Sequence, residues 1–303
     1  MKRKFFTPLK VGILVATIAY FLFTLHAMFT ISWIGEWEGL PEPLATWIFV
    51  TDVAAGVFLV FRFIASFIAT STAILYFAKK GLAQTTTNKL LRVVLVFEGL
   101  YWIGLLPSGI WGLLPSSGTF STSLLLSTGI PCTVASIGIP TAIFMLVYKL
   151  NPNKPQKEPI KWALIAGTLY VVAFWLNNSG MWLITMMNSG IGYVTNSAVY
   201  MTSYISTLAG LLALALFTAY FAKKSIGTQQ VTDLKLKTVG GIITALGVYF
   251  LWNYLAWIFF GGWNEWYAWF LGHNLDLWML TLPLVGLPLL FVNQKERAPK
   301  NSG

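Results

Sequence analysis

Residues 46–80 read TWIFVTDVAAGVFLVFRFIASFIATSTAILYFAKK: a long apolar run that closes on two lysines and carries one arginine, Arg62, in its interior. A helix needs roughly 17–25 predominantly apolar residues to cross a hydrocarbon core of about 30 Å, and this run is longer than that. Comparable runs lie at 11–33, 93–114, 121–148, 162–187, 198–222, 238–260 and 277–293. None shows the two-residue alternation of a transmembrane barrel, so helices are the spanning structure that satisfies every backbone polar group internally. The expected fold is an all-α integral membrane protein with eight transmembrane helices.

Composition agrees. The chain is 56% hydrophobic and 10% charged, with a mean hydropathy of +0.70, whereas soluble domains average about 25% charged residues. Of its 20 Lys and Arg residues, all but Arg62 fall in five clusters between runs: Lys2, Arg3, Lys4 and Lys10; Lys79, Lys80, Lys89 and Arg92; Lys149, Lys154, Lys157 and Lys161; Lys223, Lys224, Lys235 and Lys237; Lys295, Arg297 and Lys300. Threading eight helices puts every cluster on one side. The opposite loops 34–44 and 261–275 have no Lys or Arg and carry Glu36, Glu38, Glu42 and Glu265. The positive-inside rule then predicts a cell-membrane protein with both termini cytoplasmic. The net charge of +10 reads as a topology signal and as attraction to anionic lipid of the bilayer, with no nucleic-acid partner implied. Met1–Lys10 and the following run resemble a signal peptide, but the run is too long and lacks a small-residue cleavage site, so a retained first helix is expected.

Cys132 is the single cysteine, which leaves no disulfide within the chain and no Cys-x-x-Cys metal knuckle; it reads as a small core residue. No nucleophile triad, phosphate loop or metal-ligand cluster is present, which points away from hydrolytic and nucleotide-driven functions.

The run's last five residues, Tyr76-Phe77-Ala78-Lys79-Lys80, recur as Tyr220-Phe221-Ala222-Lys223-Lys224. Around them Ile137-Gly138-Ile139-Pro140 aligns with Val285-Gly286-Leu287-Pro288, and Lys10 with Ala16-Thr17-Ile18 aligns with Lys161 and Gly167-Thr168-Leu169. The chain therefore reads as two tandem four-helix bundles, 1–150 and 151–303, the second a diverged copy of the first. With four helices each, the halves keep one orientation, related by an axis along the membrane normal.

At 1.5 Å per residue, distance from the nearest basic cluster serves as a depth gauge. It puts His26 about 24 Å above Lys10 and Arg62 about 25 Å above Lys79, both in the outer third of the core and expected neighbours. Asp52 comes out about 40 Å above Lys79, with Asp276 about 28 Å and His273 about 33 Å above Lys295, all near the outer interface. Glu98 lies only about 9 Å above Arg92, which argues against its pairing with Arg62. A charge inside hydrocarbon costs roughly 2.5–3.5 kcal/mol or more, so Arg62 must face protein, water or a ligand. The functional reading stands beside a structural ion pair and beside snorkelling to the surface.

In the second half Asn177, Ser206 and Thr244 align with His26, Arg62 and Glu98, so the charged set belongs to helices one to four. His26 and His273 are the only histidines; each can ligate haem b, hydrogen-bond a carbonyl, or simply pack. Their depths differ by about 9 Å, which disfavours shared haem ligation. Glu98 and Tyr101 lie one turn apart on one helix face, suited to proton transfer or to a hydrogen-bonded core pair. The aromatic segment 263–270 is either an interfacial belt or a docking platform, for which Trp263, Glu265, Trp266 and Asp276 are the candidate contacts.

Eight helices in two bundles, His26 in the outer half of the first helix, Asp52 opening the second, and the small-residue step Ala54-Ala55-Gly56 together resemble the NrfD/PsrC family. These are quinone-binding membrane subunits of molybdenum and iron–sulfur oxidoreductases. The resemblance implies that His26 and Asp52 hydrogen-bond quinone oxygens and handle the protons of quinol oxidation. Arg62 would steady a one-electron-reduced ring or a carboxylate, and electrons would leave to an extracytoplasmic iron–sulfur or haem subunit. Two alternatives stay open: a membrane transporter, favoured by the interruptions at Pro107, Pro131, Pro140, Pro283 and Pro288, and a haem b anchor or structural subunit without its own site.

Overall fold

The computed structural model describes residues 2–30, 44–78, 82–114, 125–150, 161–170, 172–173, 176, 233–260 and 277–291. These are almost entirely helical, with no strand among the described residues. The helices are α1 (Lys2–Thr30), α2 (Leu44–Ala78), α3 (Gln84–Ile103), α4 (Leu106–Leu113), α5 (Ile139–Lys149), α6 (Asp233–Phe260) and α7 (Leu282–Leu290), with a further helical stretch at 161–170.

Among the described residues, four segments are long and apolar enough to cross a membrane: Pro8–Phe29, Phe49–Phe77, Thr85–Leu113 and Ile130–Lys149. They correspond to the first four apolar runs. In the second half the apolar helices Leu236–Val248 and Trp278–Leu290 are shorter, and most of runs 162–187 and 198–222 lies outside the described residues. The described residues thus form an all-helical structure with four membrane-compatible helices among them.

The third helix corrects the sequence boundary. It starts at Gln84, more than two turns before residue 93, because Gln84–Lys89 is polar but helix-competent. Hydropathy marks where a helix can meet lipid, not where it begins. Downstream, α3 breaks at Gly104 and Leu105, whose N–H groups bond Tyr101 O at 3.0 Å and Trp102 O at 3.2 Å in tightened three-residue turns. Pro107, in the first turn of α4, needs no N–H partner there, so the chain resumes as a helix at once.

The stretch before α5 handles two prolines differently. Wide π-turns at Leu125–Gly129 and Val134–Gly138 precede Pro131 and Pro140, and the extra residue in each turn accommodates the carbonyls that proline leaves unbonded.

Neighbouring helices run antiparallel. Lys10 meets Tyr76, Thr17 meets Thr70, and Phe21 meets Phe63, which sets the α1–α2 register. Phe61 meets Phe97 between α2 and α3, and Gly99 meets Phe144 between α3 and α5. The last helix returns to the first: Gly12 lies against the Leu284 carbonyl and Tyr20 against Trp278. A side chain at Gly12 would collide with that carbonyl, so this crossing requires glycine. Helix α6 packs on the other side of α7. Helix α1 thus sits between α2 and α7, with Lys10, Lys89, Arg92, Lys149 and Lys237 all toward one end of the assembly.

The burial pattern inverts that of a soluble protein. The α1–α2 seam buries Ala16, Thr24, Ala27, Ala65, Ser66, Thr70 and Ala73, while Leu22, Val57, Phe67 and Ile74 face outward. Small residues let the backbones approach, and lipid is the natural solvent for the large ones. The buried hydroxyls bond helix carbonyls: Thr24 Oγ1 donates to Tyr20 O at 2.7 Å and Ser66 Oγ to Phe63 O at 2.8 Å. Thr70 Oγ1 crosses to Thr17 O at 2.7 Å. Thr70→Val should therefore lower stability by about 0.5–1.5 kcal/mol, read as a lower thermal midpoint in detergent. An unchanged midpoint would mean that this bond makes no net contribution to the seam.

A second core gathers Ala135, Ile139, Ile143 and Ala173 against Leu95, Trp102, Leu169 and Tyr170. It joins α3 and α5 to residues of the second half.

Candidate functional site

Arg62 of α2 is 2% exposed, and its charge is met from two neighbouring helices, α1 and α3. Its Nε lies 3.8 Å from Glu98 Oε1 of α3. Its guanidinium carbon sits 4.6 Å from the Tyr101 ring centroid and 5.4 Å from that of Tyr20. Tyr20 of α1 donates its hydroxyl to Glu98 Oε2. The set is a buried cation, a carboxylate, a phenol hydrogen-bonded to that carboxylate, and two aromatic faces under the cation.

This overturns the expectation that Glu98 and Arg62 lie at different depths. The gauge for α3 started at Arg92, but the helix starts at Gln84. Counted from the helix ends, Glu98 is about 21 Å along α3 and Arg62 about 24 Å along α2, one level in an antiparallel pair. The outer-third assignment also changes. Arg62 and Glu98 stand beside the middle of 29-residue spans, Phe49–Phe77 and Thr85–Leu113, and Tyr20 near the middle of Pro8–Phe29. A span of about 44 Å must tilt in a core of about 30 Å, so distance along the helix overstates depth.

At mid-span Arg62 is far from either surface, and pairing replaces snorkelling. Desolvated cation–π contacts supply up to about 2 kcal/mol each, enough with the carboxylate to offset the roughly 2.5–3.5 kcal/mol of placing arginine in hydrocarbon.

The other candidates separate. His26 is partly buried on α1, and the α1–α2 register puts it level with Val60, half a turn beyond Arg62. Asp52 is on α2 about 15 Å farther along than Arg62, and its side chain lies outside the described part. Tyr101 is in the cluster, its ring directed to Arg62 and edge-on to Trp102 at 5.3 Å. His273, Trp263, Glu265, Trp266 and Asp276 lie outside the described residues, so the haem pair and the docking platform have no geometry to report.

Two members of the site were not among the sequence candidates. Tyr20 looked like any aromatic in an apolar run, yet it stands ten residues past Lys10, too deep for the interfacial belt where tyrosines collect; that depth was the available signal. The second is Trp278, at the turn before α7, whose ring centroid is 5.0 Å from that of Tyr20. Its Nε1 is buried and has no hydrogen-bond partner among the described residues. An unmet buried donor costs about 1–3 kcal/mol. Nothing in the sequence marks it, since its role comes from α7 folding back on α1.

Chemically, the cluster can hold a proton between Glu98 and Tyr20, keep a fixed positive charge beside it, and offer an indole N–H nearby. The neighbouring positions in sequence pair their own rings, Phe21 with Phe63 and Phe61 with Phe97. No group of three or more His, Cys, Asp or Glu suited to a metal occurs among the described residues. Comparison with protein-family models, with curated proteins and with solved structures gives no match.

Proposed function

We propose that this chain is a multi-pass cell-membrane subunit of an NrfD/PsrC-like respiratory oxidoreductase, with eight spans in two bundles and both termini cytoplasmic. It exchanges electrons between membrane quinone and an extracytoplasmic iron–sulfur or haem partner. The observation that carries this reading is the Tyr20–Glu98–Arg62 contact at mid-length of three apolar helices. A carboxyl and a phenol sharing a hydrogen bond beside a fixed cation can take up and release a proton where bulk water is excluded.

Quinone when bound supplies the two-electron chemistry. The chain's own residues bind and move protons. Arg62 holds negative charge at the headgroup, Glu98 accepts a proton, and Tyr20 keeps that carboxyl oriented. His26, half a turn beyond Arg62, donates to a carbonyl oxygen, and Asp52 receives protons farther along α2. The partner docks at Trp263, Glu265, Trp266 and Asp276.

A second reading, a transporter, draws on one observation: the cluster sits at mid-span beside a helix broken at Gly104 and Leu105, as transport sites commonly do.

In the native complex His26→Ala is expected to lower quinol oxidation by about a hundredfold or more, the loss typical of removing one positioned proton-transfer group, while the protein still accumulates in the membrane. Turnover equal to the unaltered complex would sink the quinone reading. Substrate uptake into liposomes by this chain alone would establish the transporter.

A further inference from the structure

Trp278 opens the 3₁₀ turn Trp278–Thr281 that leads into α7. Its indole lies on Tyr20 with planes tilted by 53°, and its buried Nε1 lacks a hydrogen-bond partner among the described residues. Phenylalanine would pack on Tyr20 equally well without stranding a donor, so the nitrogen is the feature to explain. In hydrocarbon no bulk water can satisfy it. Within the cluster the polar groups are engaged with one another: the Tyr20 hydroxyl with Glu98, and Glu98 with Arg62.

We propose that Trp278 Nε1–H donates to a carbonyl oxygen of the ligand of this site, bound beside the contact of Trp278 with Tyr20. The ligand class follows from the quinone reading, on which this inference rests: the acceptor is one of the two ring carbonyls. Trp278 is then a binding residue supplied by the second half to a charged set supplied by the first. The Tyr20 ring touches both contributions, with the Arg62 guanidinium carbon 5.4 Å and the Trp278 ring 5.0 Å from its centroid. The second half lacks the charges of the first but completes the site. The orientation also rationalises why α7 returns to α1, since that return sets this indole against Tyr20.

The test uses the full chain in lipid nanodiscs, with decylubiquinone as the probe and Trp278→Phe as the variant. The indole ¹⁵N–¹H resonance of Trp278 is assigned by its absence in Trp278→Phe or Trp278→Tyr. Expected are a downfield shift of that resonance on adding the quinone and an affinity about tenfold weaker in Trp278→Phe, the scale of one lost hydrogen bond. If the unaltered chain binds the quinone but its resonance stays in place, or Trp278→Phe binds equally well, the N–H is met by the face of Tyr20 and the inference is overturned while the quinone reading survives. If the unaltered chain binds no quinone, both fail together.

Discussion

Replacing Arg62 with methionine is expected to lower the stability of the detergent-solubilised protein by about 3–5 kcal/mol, because it leaves the Glu98 carboxylate at mid-span without its cation. Glu98→Leu should cost a similar amount, since it strands a guanidinium that is 2% exposed and also removes the acceptor of the Tyr20 hydroxyl. The double variant Arg62→Met with Glu98→Leu should be far less damaged than the sum of the two. Removing both charges removes both desolvation costs, and a buried pair replaced by apolar groups of similar volume is often neutral. Arg62→Lys should fall between, because an ammonium cannot lie flat on the Tyr20 and Tyr101 rings as a guanidinium does. The measurement is a double-mutant cycle on thermal or denaturant unfolding. Additive single effects would mean that the 3.8 Å approach carries no coupling.

The second large effect lies in the seam between α4 and the π-turn ahead of Pro131. A Cβ at Gly112 would run into the Gly129 backbone nitrogen and lie 2.5 Å from its Cα. Backbone meets backbone there, so no rotamer change can relieve the clash. Gly112→Val should cost about 3 kcal/mol or more, the upper range for overpacking, and lower the yield of folded protein in the membrane. Gly167 offers the control. It is a helical glycine with nothing within 4 Å of an added Cβ, so Gly167→Ala should be neutral or stabilising by up to about 1 kcal/mol through helix propensity. A tolerated Gly112→Val, or a damaging Gly167→Ala, would contradict this account of the helix contacts.

Much of the site was within reach of the sequence, and the part that was missed has specific causes. Arg62 stands out because a charge among Phe61, Phe63 and Ile64 must face protein, water or a ligand. Glu98 and Tyr101 were recognised as one face of a helix from their spacing alone. Their meeting with Arg62 was not, because the gauge took Arg92 as the start of a helix that begins at Gln84. A polar residue can be helical outside lipid, so the last charge before an apolar run does not mark the helix end. Tyr20 and Trp278 were passed over for another reason. Aromatic residues fill this chain, and only their partners separate two of them from the rest.

What the amino-acid sequence determined by itself was the solvent and the chain's coarse plan. Long apolar runs with charges confined between them cannot fold stably in water, and in lipid the backbone must close its hydrogen bonds within helices. Only the tertiary structure decided which helices touch and at what level. In lipid the hydrophobic effect does not draw helices together, so pairing rests on small-residue contact and on polar groups that must find one another. Gly12 against Leu284 and Thr17 with Thr70 set registers that no run of hydropathy contains. Those registers brought a lone arginine to a glutamate on one side and a tryptophan to a tyrosine on the other.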